Sequence, residues 1–188
     1  MKLSRKERFD LAYKLRVLGK LYPNSLGTFE SEIEALESGY MLHYEGAYEL
    51  ISTEELSIKE CEFVLEVLNL YRSLIFSFEK IDNPKNLKKE DLRFPGFDGN
   101  NETKHWRYTE YYIERCNSPS YHFNEIRLLC NGNKKDNLGY YNSHEPMIDD
   151  YKKMLEKFYT FSKKYKCELT EEQIIEVLKI YSPSLSDG

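Results

Sequence analysis

The segment from Ile58 to Ile81 constrains the fold most, because it is apolar on two faces of a helix. Its apolar residues recur at helical spacing in two adjacent stripes, one made of Val64, Leu68, Tyr71, Ile75 and Phe78 and the other of Phe63, Val67, Leu70 and Leu74. A helix with two apolar faces must be covered by other elements on both of them. The segment 58–81 is therefore predicted to be the central helix of a bundle.

Capping boxes mark three helix starts, each with a hydroxyl that accepts from a backbone amide and a residue three positions later that reaches back. They lie at Ser4-x-x-Glu7, Ser57-x-x-Glu60 and Thr170-x-x-Gln173. Helical spacing of apolar residues extends over about 5–21, from Thr28 to Ile51 as one helix or two, over a segment that carries Trp106, from Pro146 to about Lys166, and over 174–181.

These patterns predict an all-α protein, an irregular helical bundle of five to seven helices around the central helix 58–81, with two long loops. The dipeptide Asn131-Gly132 between two apolar segments is typical of a tight turn, so one short β-hairpin within 121–141 is an alternative for that stretch. At 188 residues the chain has the size of one ordinary globular unit. We therefore expect a single domain over 1–188, with a flexible tail from about 182 to 188.

The charge balance and the cysteines limit the cellular compartment and the partners that we expect for this chain. With 27 Lys and Arg against 32 Asp and Glu, the net charge is -5, which opposes binding to phosphate backbones. The N-terminus lacks the apolar core of a signal peptide, and the most apolar stretch falls short of the ~20 residues that cross a bilayer. The four cysteines form no CxxC pair, which argues against a zinc finger or a disulfide framework. We expect a cytoplasmic protein without a membrane or nucleic-acid partner.

Motifs that carry chemistry are absent from the sequence. None of the four histidines belongs to an HExxH or HxH pattern, and no serine lies in a GxSxG elbow. The nine glycines form neither GxGxxG nor GxxxxGK, so no phosphate-binding loop is indicated. We therefore expect no metal and no cofactor, and ordinary hydrolases, kinases and metalloenzymes are disfavoured.

The polar turn after the central helix is the best place for a ligand or partner site. It contains Phe94-Pro-Gly-Phe-Asp98-Gly-Asn-Asn, in which an Asp or Asn side chain is expected to cap the helix that carries Trp106. A cluster for acid-base chemistry or binding needs convergent polar groups, and the polar residues of this region would have to converge through tertiary contacts. The candidate site residues are Arg93, Asp98, His105, Trp106 and His122.

Aromatic residues are abundant, with 16 Tyr, 10 Phe and one Trp. One interpretation is a tyrosine-rich core that fills the space between helices. The other is an aromatic surface that binds a second chain, because tyrosine combines apolar area with a hydroxyl at its edge. For the second interpretation we expect a homodimer or higher homo-oligomer, with Leu15, Tyr108 and Tyr111 as the candidate self-association residues.

Several segments together resemble the YfbU family of bacterial proteins. They are the run from Leu56 to Tyr71, the turn Phe94-Pro-Gly-Phe-Asp98, the tripeptide Tyr121-His122-Phe123, and Pro146-Met147 followed by Tyr151-Lys-Lys-Met-Leu155. The resemblance covers almost the whole chain, and its specificity lies in the order and spacing of the segments. It implies an all-helical cytoplasmic protein, and it assigns no activity and no catalytic residue.

Three functional hypotheses remain, and the first is preferred. It is a self-associating protein-interaction module in stress or regulatory physiology, with room for an unidentified protein partner. The alternative is an enzyme or small-ligand binder that uses the loop cluster of Arg93, Asp98, His105 and His122. The third is an RNA-associated protein, which the acidic net charge disfavours.

Overall fold

The computed structural model describes residues 2–23, 29–48, 54–115, 123–131, 141–161 and 168–182. The chain divides into two compact units, Met1–Glu55 and Leu56–Gly188. The single domain expected over 1–188 stays a prediction. Of the tail expected from about 182 to 188, all but Ser182 lies outside the described residues.

The N-terminal unit is built on two α-helices and a 3₁₀ helix. Helix α1 is Arg5–Leu21, and its start has the predicted capping box, in which the Ser4 hydroxyl accepts from the amide of Glu7. Helix α2 is Glu30–Ser38, and it ends because Gly39 adopts φ +80°, a conformation that breaks the helix and favours glycine. The 3₁₀ helix Met41–Tyr48 follows, so the stretch that begins near Thr28 is two helices rather than one.

A small core holds this unit together. Its buried residues are Ala12 and Leu15 of α1, Leu36 of α2, and Tyr44. The guanidinium of Arg8 donates a hydrogen bond of 2.9 Å to the carbonyl of Leu36, which ties the two helices together at their inner faces. Among the described residues of this unit, Ala12 and Leu15 are the buried side chains of α1, and most of the helix circumference lies outside the core.

The C-terminal unit is organised around helix α3, Ile58–Phe78, as the two apolar stripes predict. The Ser57 capping box is present at its start. Both stripes contribute to the core: Val64, Val67, Leu68, Leu70, Tyr71, Leu74 and Ile75 are buried. Helix α3 contacts four of the helices that follow it in the chain, which cover it on more than one side.

The remaining elements are short helices. A 3₁₀ helix at Lys89–Leu92 precedes α4 (Thr103–Glu110), which continues as one π-helical turn over Tyr111–Arg115. They are followed by α5 (Asn124–Asn131), α6 (Ile148–Phe161) and α7 (Glu171–Leu178). The predicted all-α class is confirmed. The predicted end of α6 near Lys166 lies outside the described residues.

The hairpin alternative for 121–141 is not supported. Where its first strand would lie, the chain forms helix α5. Phe123, Ile126 and Cys130 are buried against the main core, and their spacing of three and four residues is that of one helix face. The alternation expected of a strand is missing, and most of the proposed second strand lies outside the described residues.

Candidate functional site

The turn at residues 94–99 is fixed by a close approach to residues 141–143. The Phe97 amide donates to the carbonyl of Tyr141 at 3.0 Å, and the Phe97 carbonyl accepts from the amide of Ser143 at 3.2 Å. Gly96 has φ +96°, and a Cβ atom built on it would lie 1.8 Å from the Tyr141 carbonyl oxygen. Only glycine fits at this position, which explains one part of the Phe-Pro-Gly-Phe-Asp turn.

Aromatic rings fill the space beneath this turn. The ring of Phe94 lies 5.0 Å from Tyr71, 5.9 Å from Tyr151 and 6.2 Å from Phe97, centroid to centroid. The Tyr151 hydroxyl donates to the carbonyl of Gly96 at 2.6 Å. For these tyrosines the structure agrees with the interpretation of a tyrosine-rich core.

Asp98 is buried and engaged in its own turn. One carboxylate oxygen accepts from the amide of Asn100 at 3.0 Å, and the other accepts from the side-chain amide of Asn101. These hydrogen bonds hold the pKa of Asp98 below its ordinary value. Helix α4 begins five residues later, at Thr103, and has no side-chain cap. The expected Asp or Asn cap of this helix is therefore absent, and the oxygens of Asp98 close a tight Asx turn instead.

Glu102, just after this turn, is a charged side chain that was not among the candidate site residues. It is buried, and one of its oxygens accepts from the amides of Met147 at 2.7 Å and Ile148 at 2.8 Å. The other oxygen accepts from the amide of Asp98 at 3.0 Å. The first amides of a helix lack an intrahelical acceptor, so Glu102 caps α6 from a distant part of the chain. One feature of the sequence could have indicated this role: no residue immediately before α6 has a side chain suited to cap that helix, so a distant residue had to supply the acceptor.

His105 lies half-buried against two aromatic rings. Its ring centroid is 6.2 Å from that of Phe63 and 5.5 Å from that of Phe97. Burial lowers the pKa of the His105 imidazole, and the nearby Glu60 and Glu102 carboxylates oppose that change in part. The neutral imidazole is thus favoured, and the ring packs as an aromatic side chain.

The candidate site residues that the structure describes do not form one cluster. Arg93 is exposed and interacts with the buried thiol of Cys130, Trp106 packs against the main core, and His122 lies outside the described residues. The partners of Asp98 are asparagines, whereas those of His105 are phenylalanine rings. Across the described ranges, no group of three or more His, Cys, Asp or Glu side chains could hold a metal ion.

Neither described cysteine has the features of an activated nucleophile. Cys130 is buried, its thiol donates to the carbonyl of Phe94 at 3.6 Å, and burial raises its pKa to about 11. Cys61 is half-buried, and its thiol donates to the carbonyl of Leu56 at 3.9 Å. A nucleophilic cysteine needs a stabilised thiolate, which burial disfavours at Cys130.

A different apolar surface emerges on α1. Phe9, Tyr13, Val17 and Leu21 are spaced four residues apart and are all exposed, Phe9 at 68% and Tyr13 at 61%. Residues four apart share a helix face, so they form one row, which we call the α1 outer row. The rings of Phe9 and Tyr13 stack 6.5 Å apart.

The residues predicted for self-association lie elsewhere. Leu15 is only 5% exposed and belongs to the small core of the N-terminal unit, so it is not available to a second chain. Tyr108 is half-buried against the main core, and Tyr111 is half exposed beside it, with ring centroids 6.3 Å apart. Leu15 thus lies on the buried face of α1, whereas the exposed apolar residues of this helix lie on another face.

The C-terminal unit also has an open groove of about 430 Å³ between α3 and α5. Phe76 and Leu128 supply exposed apolar area there, and Leu128 is 67% exposed. Its rim carries an ion pair between Glu79 and Lys89, whose charged atoms are 3.3 Å apart. The groove thus has an apolar base and a rim with both charges.

These features define an all-α protein in which the polar residues of the candidate turn serve to fix the fold. None of the helices in the described ranges is both long and apolar enough to span a bilayer. The family model of the YfbU domain matches residues 1–180, and the chain belongs to this family.

Curated relatives agree with this assignment. A UPF0304 protein of Methanocaldococcus jannaschii is 32% identical over 180 residues, which are 94% of this chain and 98% of that protein. A UPF0304 protein of Mannheimia succiniciproducens is 26% identical over 177 residues, with 93% and 98% covered. The similarity extends over nearly the full length of both relatives, and the predicted family is confirmed.

Proposed function

We propose that this YfbU protein is a protein-interaction module that self-associates through the outer face of α1. The observation that carries the proposal is the exposed row of Phe9, Tyr13, Val17 and Leu21. Soluble monomers seldom expose contiguous apolar patches larger than roughly a few hundred Å² without a binding role. Covering such a row removes apolar area from water at roughly 25 cal/mol per Å².

The construction of the N-terminal unit supports this role. Its core takes up the inner face of α1, around Ala12 and Leu15, and leaves the outer row beyond it. A helix apolar on two faces gains from being covered on both, as α3 is in the C-terminal unit. In α1 the second face is available to another chain.

The contacts at the turn favour the interaction proposal over the enzyme alternative. The carboxylates of Asp98 and Glu102 accept hydrogen bonds from nearby amides, and His105 packs on aromatic rings. Each of these groups has a structural task that accounts for its position. Among the described residues of its own unit, the α1 outer row has no comparable task.

The test is a matched pair of charge substitutions. Tyr13→Glu places a carboxylate in the middle of the α1 outer row and should dissociate the assembly while helicity is retained, because Tyr13 is exposed. Leu128→Glu is the control, since Leu128 is as exposed as Phe9 but lies on α5. Sedimentation velocity at one protein concentration compares both with the native chain. An unchanged sedimentation coefficient for Tyr13→Glu would contradict the proposal.

A further inference from the structure

We infer that the α1 outer row pairs with the same row of a second copy, with the two helices antiparallel across a two-fold axis. The inference rests on the proposed function and adds the occupant of the surface and its orientation. A two-fold contact requires one patch that is complementary to itself. The α1 outer row meets that condition in its spacing and in its charges.

The spacing of the row is symmetric about its midpoint. Its four residues are each four positions apart, so reversing the helix about the point between Tyr13 and Val17 exchanges these two residues. The same reversal exchanges Phe9 and Leu21. In an antiparallel pair, each aromatic residue of one copy therefore lies level with an aliphatic residue of the other, which avoids facing two large rings in one layer.

The charges beside the row discriminate between the two orientations. Asp10 and Lys20 are exposed and lie on α1 at similar angular distances on the two sides of the row. The reversal that exchanges Tyr13 and Val17 also exchanges these two residues, so Asp10 of one copy is level with Lys20 of the other. A parallel pair in register would instead place Asp10 level with Asp10 and Lys20 level with Lys20. Asp10 and Lys20 are thus each level with a residue of opposite charge only in the antiparallel arrangement, and this charge pair occurs twice in a symmetric dimer.

The helix dipoles also favour the antiparallel arrangement. Lys6 lies in the first turns of α1, and antiparallel pairing brings it near the C-terminal end of the second copy's helix. That end carries a partial negative charge, which attracts a cation. In the parallel arrangement, Lys6 would lie beside the positive end of the other helix and beside Lys6 of the second copy.

The orientation can be read by site-specific crosslinking that leaves the α1 outer row intact. Two variants are made, Asp10→Cys in isotope-labelled protein and Lys20→Cys in unlabelled protein, and they are mixed and treated with a short bismaleimide. Mass spectrometry then identifies which peptides are joined and from which copies. The native chain, with its own four cysteines, is treated in parallel to define the background.

Antiparallel pairing predicts crosslinks between position 10 of one copy and position 20 of the other in the mixture. Each variant alone should give no crosslink between its new cysteines. In an antiparallel pair the two copies of position 10, and likewise the two copies of position 20, are about 15 Å apart along the helix axis. A crosslink from 10 to 10 in the Asp10→Cys protein alone would show parallel helices and overturn the inference. A dimer that joins position 10 to neither 10 nor 20 would overturn it as well, and would leave self-association intact. A chain that stays monomeric would remove the proposed function and this inference together.

Discussion

The carboxylate of Glu102 accepts a hydrogen bond from the backbone amide of Met147 at 2.7 Å, across 45 positions of the chain. The same side chain also accepts from the amide of Asp98 at 3.0 Å. One buried carboxylate therefore joins the turn before α4 to the start of α6. It supplies at long range the acceptor that a local capping residue supplies at the starts of α1, α3 and α7.

Replacement of this carboxylate should destabilise the C-terminal unit. Glu102→Ala leaves the amides of Asp98, Met147 and Ile148 without their acceptor, and we expect a loss of about 2 to 4 kcal/mol in the free energy of unfolding. Urea unfolding followed by fluorescence measures it, because Trp106 is the only tryptophan and lies in this unit. Glu145→Ala, at an exposed position next to Pro146, is the control and should change little. Equal midpoints for the two variants would show that Glu102 is not the cap.

Gly96 should tolerate no side chain. In Gly96→Ala the new Cβ would lie 1.8 Å from the Tyr141 carbonyl oxygen, and the residue would be held at φ +96°. We expect a loss of about 3 kcal/mol or more in the free energy of unfolding. Gly46→Ala is the matched control, because its Cβ would meet no atom closer than 3.8 Å. Thermal unfolding by circular dichroism compares the two, and similar melting temperatures would contradict the account of the turn.

The helical elements could be predicted from the sequence because their signals are local. The capping boxes at Ser4, Ser57 and Thr170 are all present, and the two stripes of α3 are buried as their spacing predicts. Gly39 separates two helices in a stretch for which the sequence allowed either one helix or two. Periodicity and capping depend on residues within a few positions of one another, so one chain suffices to read them.

The candidate site was less accessible to sequence reasoning because it depends on contacts between distant residues. The link from Glu102 to α6 leaves no short-range pattern, and Asp98 resembles a helix cap until its turn is seen. On α1, Leu15 and Tyr13 lie on different apolar faces, and only packing decides which face is covered. Sequence periodicity gives the faces of a helix and leaves their partners undetermined.

The state of His105 predicts how stability depends on pH. Burial lowers the imidazole pKa in the folded chain, so the unfolded chain binds a proton more readily. The contribution of His105 to stability is therefore complete above the ordinary histidine value of about 6.5 and decreases as the pH falls through the folded value. In His105→Gln, which does not titrate, the free energy of unfolding should change less between pH 7.5 and 5.5 than in the native chain. Urea unfolding at both pH values provides the comparison, and identical changes would contradict the prediction.

The two faces of α1 should respond differently to truncation. Leu15→Ala opens the small core of the N-terminal unit and should cost about 2 to 4 kcal/mol, because Leu15 is buried against α2. Val17→Ala removes an exposed side chain and should cost much less at concentrations where the chain is monomeric. Hydrogen exchange of the α1 amides reports on this unit, which has no tryptophan. Equal loss of protection in both variants would mean that the inner and outer faces are wrongly assigned.

The most direct test of the central claim is the mass of the native chain in solution. Light scattering over a range from low to high micromolar concentration should give a mass that rises toward twice 22.4 kDa, because covering the α1 outer row requires a second copy. A mass of 22.4 kDa at every concentration would contradict the claim that Phe9, Tyr13, Val17 and Leu21 form a self-association surface.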